Sequence, residues 1–242
     1  MSDTDPASRV CLITGASRGI GRATALALAE SGWRLALAAR GCDALDHVLR
    51  ELDGGVADAH FASVCDVTRE ADVAGTVQAT VERFGRLDAV VCAAGGGGFG
   101  PTTETTLESW NAQVATNLTG TFLVCREALK VMLPRRSGHL VTVLSVASKV
   151  AFPGAAAYCA SKWGAYGLTK ALAEEVRREG VRVTALLPGS VDTPFWDAVG
   201  GGPPREDMLR AERVAHAIRY ALDAPPDASL DEIHIMPPKG IL

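Results

Sequence analysis

A chain of 242 residues is long enough for one large α/β domain and short for two. With 48% hydrophobic and 21% charged residues it can build a substantial core, and a net charge of −4 leaves no basic face for nucleic acid. No apolar run reaches the length of a membrane span, and Met1–Arg9 has no apolar signal segment, so a cytoplasmic protein is expected.

The first strand is expected at Val10–Thr14 and the first helix at Gly19–Ser31. The turn between them reads Thr14-Gly15-Ala16-Ser17-Arg18-Gly19-Ile20-Gly21. Glycine at 15 permits a tight turn, and glycine at 19 lets backbone N–H groups approach a phosphate. Glycine at 21 lets the helix pack on the strand, with the helix N-terminus facing the anion. Further strands are expected at Arg34–Ala39, Ala59–Val64, Leu87–Cys92, His139–Ser145, Val181–Leu187 and Glu232–Met236. Between them, Asp43–Leu52, Arg69–Phe84, Leu107–Leu133, Tyr158–Arg178 and Arg210–Leu222 have helical composition and period. This alternation, with near-continuous Val/Leu/Ala strands, predicts a doubly wound, seven-stranded parallel sheet with helices on both faces, a single domain over 1–242. The six cysteines stand singly in mostly apolar stretches, and no Cys/His cluster marks a metal site.

Tyr158-Cys159-Ala160-Ser161-Lys162 places a phenol and an ammonium at i and i+4 on one helix face. A free tyrosine has a pKa near 10, and a neighbouring cation is expected to lower it and make the phenol a better acid toward an alkoxide. Ser145 ends the fifth expected strand, and the carboxyl ends of strands in open parallel sheets are where ligands bind. Its hydroxyl can donate to an oxygen on which negative charge develops; Ser148 nearby is a possible substitute. Asn117 is an unusual residue for the interior of the long helix Leu107–Leu133.

The spacing Gly-x-x-x-Gly-x-Gly, followed in order by Asp66, Gly95, Asn117, Ser145, Tyr158, Lys162 and Pro188-Gly189, resembles the short-chain dehydrogenase/reductase family over nearly the whole chain. The resemblance implies a Rossmann-type fold. The implied activity is an oxidoreductase interconverting a carbonyl and a secondary alcohol by hydride transfer, with tyrosine as general acid/base. It selects Ser145 over Ser148 and makes Asn117, Ser145, Tyr158 and Lys162 the catalytic set. Lys162 would also bond the nicotinamide ribose, and Asn117 would hold a helix kink and a water leading from Lys162 to solvent. Cofactor contacts are implied at Gly15, Ser17, Arg18, Gly19, Ile20, Gly21, Asp66 and Val67, with Asp66 on the adenine. Ala93, Ala94, Gly95, Pro188, Gly189, the Val191 backbone and Thr193 complete the set. Cys92-Ala93-Ala94-Gly95 stands where the family has Asn-Asn-Ala-Gly; both asparagines are absent, while the small residues suit a close cofactor approach.

The residue ending the second strand usually decides the dinucleotide, an acid holding a ribose 2′-hydroxyl and an arginine a 2′-phosphate. Here it is Arg40, with Arg18 as a second cation, which predicts NADP(H) in preference to NAD(H). Pro194–Arg210 is expected to close over the site as a short lid, with Gly200–Pro204 supplying mobility. Gly96, Phe99, Ala147, Phe152, Phe195 and Trp196 are the expected substrate contacts, and no lysine or arginine precedes Arg205 in these segments, which points to an uncharged, largely apolar ketone or aldehyde. The apolar surfaces of Leu107–Leu133 and Tyr158–Arg178 exceed what packing on a sheet requires, which predicts a homo-oligomer, a tetramer or dimer. The competing readings are an NAD(H)-dependent alcohol dehydrogenase of the same fold, a non-catalytic dinucleotide sensor and a subunit-interaction scaffold.

Overall fold

The computed structural model of the chain describes residues 9–52 and 59–241, so most of the N-terminal stretch Met1–Arg9 lies outside the described residues. Strands β1 (Val10–Thr14), β2 (Arg34–Ala39), β3 (His60–Val64) and β4 (Ala89–Cys92) alternate with helices α1 (Gly19–Ala29), α2 (Cys42–Leu52) and α3 (Glu70–Phe84). Then come α4 (Leu107–Val114), α5 (Gly120–Arg135), β5 (Gly138–Val143), α6 (Ala156–Val176) and β6 (Val181–Pro188). The two-residue strands β7 (Val191–Asp192) and β8 (Leu209–Arg210) bracket the short helix α7 (Phe195–Ala198), and α8 (Ala211–Leu222) and β9 (Glu232–Ile235) complete the fold.

Seven strands form one parallel sheet in the order β3-β2-β1-β4-β5-β6-β9. Period-two alternation sends successive side chains of β1 to opposite faces. Val10 and Leu12 join α3, α5 and the end of α6 in one buried layer; Cys11 and Ile13 join α1, α2 and α8 in the other. Both layers are buried and apolar, which is why the central strands β1, β2, β4, β5 and β6 read as near-continuous apolar runs rather than alternating ones. Each fully buried leucine or isoleucine here stabilises the fold by about 1.5–3 kcal/mol relative to its exposed state.

The chain reverses its winding between β1 and β4, so the loops after these strands part at their carboxyl ends and leave a crevice. The expected helix Leu107–Leu133 is not continuous. A π-turn at Ala115–Thr119 separates α4 from α5, and Asn117 sits inside it. Such one-turn bulges open the backbone ladder where a side chain has another task. The expected strand through Ser145 ends instead at Val143, and Ser145 caps a 3₁₀ turn at Val146–Ser148. Among the described residues, no helix is long and apolar enough to cross a membrane.

Candidate active site

The crevice is one cleft of about 760 Å³, floored by the carboxyl ends of the central strands. Every residue expected to touch cofactor or substrate lines it except Gly21 and Asn117. At one end the chain turns from β1 into α1. Gly15 and Gly19 have φ of 67° and 55°, the left-handed region that glycine enters without strain. A Cβ on Gly15 would stand 2.7 Å from the Ala94 amide nitrogen, and one on Gly21 would stand 2.2 Å from the Gly15 carbonyl oxygen. Both glycines are therefore needed for helix, turn and β4 loop to close on one another. No side chain caps the start of α1 and its first turn carries no acid. Its free N–H groups and dipole are a ready cradle for an anion.

Exposed Arg40 follows β2 on the cleft wall near Arg18. Asp66, which follows β3, lines the same cleft. Its Oδ1 accepts the Thr68 backbone N–H at 2.9 Å and the Thr68 hydroxyl at 2.8 Å. These bonds, and more weakly the charge of Arg40, hold its carboxyl below the usual range. Cys92 does not replace the missing asparagine: its Sγ turns into the core, 3.9 Å from Cys125 Sγ, where that contact and then burial push the thiol up.

At the other end, Tyr158 and Lys162 rise from α6. Asn117 ties this helix to the loop after β4. Its Oδ1 accepts from Gly96 N at 2.9 Å, and its Nδ2 donates to Gly96 O at 2.8 Å and to Ser161 Oγ at 2.9 Å. Each of these bonds is buried or half-buried, and an orphaned partner costs about 1–3 kcal/mol. Ser145 lines the cleft, and its Oγ accepts the Ala147 N–H at 3.1 Å while keeping its own proton to donate. Ser148 is fully buried and its Oγ has no partner among the described residues, so it is no substitute.

The electrostatics differ from expectation. The half-buried Tyr158 phenol is pushed up to about 12 by burial, with a hydrogen bond to Ser145 pulling the other way. Lys162 does not dominate it. That ammonium is buried, donates to Val143 O at 3.1 Å, and lies 5.9 Å from the Tyr158 ring centroid. Burial also lowers Lys162 itself, to about 8. In the chain alone, Tyr158 is a firmly protonated donor rather than a phenolate.

These features are those of a known group of proteins. The sequence profile of the short chain dehydrogenases matches residues 9–201. The chain belongs to this family. A D-threitol dehydrogenase of Mycolicibacterium smegmatis is 40% identical over 205 residues, 84% of this chain and 77% of that protein. A putative ketoacyl reductase of Streptomyces coelicolor is 42% identical over 194 residues, 79% of this chain and 74% of that protein. An actinorhodin polyketide ketoreductase, solved with NADPH, superposes with a TM-score of 0.87 at 33% identity, covering 97% of this chain and 98% of that one.

This short chain dehydrogenase has a wall that its sequence did not announce. Met236, just past β9, and Ile241 line the cleft, and Lys239 joins that tail to Asp207 at 2.7 Å. Met236 follows the carboxyl end of a parallel strand, the place such folds reserve for ligands; Ile241 carried no signal. Arg205 turns away from the cleft and bonds Asp192 Oδ1 at 2.7 Å, Thr193 O at 2.8 Å and Asp197 Oδ1 at 2.5 Å. The segment after Thr193 is thereby clasped at its base. Above Tyr158 stand the rings of Phe99, Phe195 and Trp196, with the Trp196 indole N–H donating to Val191 O at 3.0 Å.

Proposed function

We propose that this chain is an NADP(H)-dependent carbonyl reductase acting on uncharged, apolar ketones or aldehydes. The observation that carries it is the convergence of Ser145, Tyr158 and Lys162 at one end of a cleft whose other end is the uncapped α1 turn. The residues fit a dinucleotide. The α1 N–H groups and Gly19 would hold the pyrophosphate, Asp66 and Val67 the adenine, and Arg40 with Arg18 a 2′-phosphate. Gly189, Val191 and Thr193 would hold the carboxamide. When bound, NADPH supplies the hydride.

The remaining chemistry belongs to the chain. Ser145 donates a hydrogen bond to the substrate oxygen, and its strengthening as negative charge develops favours the transition state. Tyr158 gives its proton to the same oxygen. Burial keeps that proton on the phenol through neutral pH. Lys162, bonded to one carbonyl, has two further N–H donors for a ribose and for the phenolate left behind. Asn117 is a positioning residue that fixes α6 against the Gly96 loop. It would also sit on the proton path from Lys162.

The substrate end is lined by Phe99, Ala147, Phe152, Phe195, Trp196, Met236 and Ile241. A polyol of the threitol kind would find few hydrogen-bond partners on these walls, and a carboxylate no cation beyond Lys162. We further propose that the segment 194–209 closes as a lid, that the protein works in the cytoplasm, consistent with its unpaired cysteines, and that it assembles through α4, α5 and α6. Kinetics across matched neutral and carboxylate ketones test the substrate reading. Neutral ketones should win, and Trp196→Ala should lower their catalytic efficiency; preference for carboxylates, or an unaffected neutral series, overturns it.

A further inference from the structure

Gly97 lacks the left-handed backbone that demands glycine, yet a side chain there collides with Phe195 where it stands. A Cβ on it would lie 2.6 Å from Phe195 Cζ, 2.8 Å from Phe195 Cε2 and 3.3 Å from Tyr158 Cδ2. The Phe195 ring thus rests directly on the Gly97 backbone, beside the tyrosine that faces the substrate. It is boxed by aromatic neighbours. Its centroid is 5.8 Å from Tyr158, 6.2 Å from Phe99 and 5.3 Å from Trp196, at interplanar angles of 49°, 76° and 90°. Tilted and edge-to-face contacts set ring edges against ring faces, the arrangement that the aromatic quadrupole favours.

We propose that this niche is a ring subsite that Phe195 fills only while substrate is absent, and that the substrate carries a flat aromatic ring on its carbonyl carbon. The inference rests on the carbonyl-reductase reading above and deepens it. Three observations support the exchange. The niche already holds a six-membered aromatic ring, so its shape and the charge pattern of its walls suit another. It adjoins the Tyr158 ring, so a substituent bonded to a carbonyl at the Tyr158 hydroxyl extends toward it. Phe195 sits on a helix of four residues that is followed by Gly200 and Gly201 with φ of 84° and 126°, a backbone able to swing out. The Arg205 clasp holds the base of the segment at Asp192 and Thr193 and also reaches Asp197 on α7, so a swing of Phe195 breaks that exposed ion pair, at a cost of about 0–1 kcal/mol. A chair-shaped saturated ring is thicker than a phenyl ring and does not slide between Gly97 and its aromatic neighbours. Self-occupation also weakens substrate binding by the fraction of molecules in which the niche is filled.

The test compares acetophenone with cyclohexyl methyl ketone, using NADPH, in the parent, Gly97→Ala and Phe195→Leu proteins. The parent should favour acetophenone by about tenfold or more in kcat/KM. Gly97→Ala places a methyl group in the niche at a backbone conformation open to alanine, and should bring that ratio close to one, chiefly through KM. Phe195→Leu removes the resident ring and should lower the KM for acetophenone. A parent ratio near one, or a ratio that Gly97→Ala leaves in place, overturns the proposal while Tyr158-dependent reduction of both ketones leaves the reductase reading standing. If neither ketone is reduced, the reductase reading fails and the niche is decided by saturation-transfer NMR with acetophenone. Signal that weakens in Gly97→Ala supports the ring subsite, and absent or unchanged signal overturns it.

Discussion

Acid should destabilise this protein through His139 before it protonates the carboxylates. His139 stands in β5, the strand that leads to Ser145, and is almost wholly buried. The Thr184 hydroxyl donates to Leu230 O at 2.6 Å and so is left to accept from His139 Nε2 at 2.8 Å, which makes Nε2 the protonated nitrogen. Nδ1 has no partner among the described residues, so a second proton would create a buried cation with nothing to receive its hydrogen bond. Burial, aided by the charge of Arg182, lowers the imidazole from 6.5 to about 3. The unfolded chain takes up this proton below pH 6.5 and the folded chain does not until about pH 3, so stability falls with pH across that window. At pH 5 the loss relative to pH 7 is about 2 kcal/mol from this group alone. Asp66, Glu127, Asp231 and Glu232 are all held below their usual values and report only at lower pH. Urea unfolding at pH 7 and pH 5 measures the difference, with His139→Asn as the comparison. The parent should lose about 2 kcal/mol more than the variant between these pH values. Equal losses would show that His139 charges at no cost in the folded state and would refute the reasoning.

Arg40→Asp should erase or reverse the preference for NADPH, because each charge-assisted bond to a 2′-phosphate contributes about 1.5–3 kcal/mol, roughly 10- to 150-fold. A parent enzyme equally efficient with NADH would contradict that assignment. Light scattering should return an oligomer, since Leu107, Phe122 and Trp163 are 73%, 41% and 50% exposed on α4, α5 and α6. Phe122→Glu with Trp163→Glu should dissociate it, and a parent mass of 25.3 kDa would refute the prediction.

Much of this architecture is legible in the chain because its signals are local. The five central strands β1, β2, β4, β5 and β6, buried on both faces, read as apolar runs, and the Gly15/Gly19/Gly21 turn follows from a steric requirement visible in the residues. Other features depend on packing. A π-turn inserts into a helix without changing its composition, so α4 and α5 read as one; the anomaly of Asn117 was the trace it left. Ser145 reads as the end of its strand because Leu144 continues the apolar pattern, although it caps the next turn. The spacing of Tyr158 and Lys162 implies a lowered phenol, whereas burial raises it, and burial comes from rings and strands distant in sequence. Arg205 is legible only as the first cation of the segment after Thr193, and the fold alone brings Asp192, Asp197 and the Thr193 carbonyl around to hold it.

The proton held by Tyr158 is the centre of the proposed chemistry. Tyr158→Phe removes the hydroxyl and keeps the ring that packs against Phe99 and Phe195. NADPH binding followed by fluorescence, together with reduction of a neutral ketone followed by nicotinamide absorbance, separates binding from chemistry. Binding should be retained while turnover falls by roughly 100- to 10,000-fold. Turnover within a fewfold of the parent would mean that the proton comes from another group and would contradict the proposed chemistry.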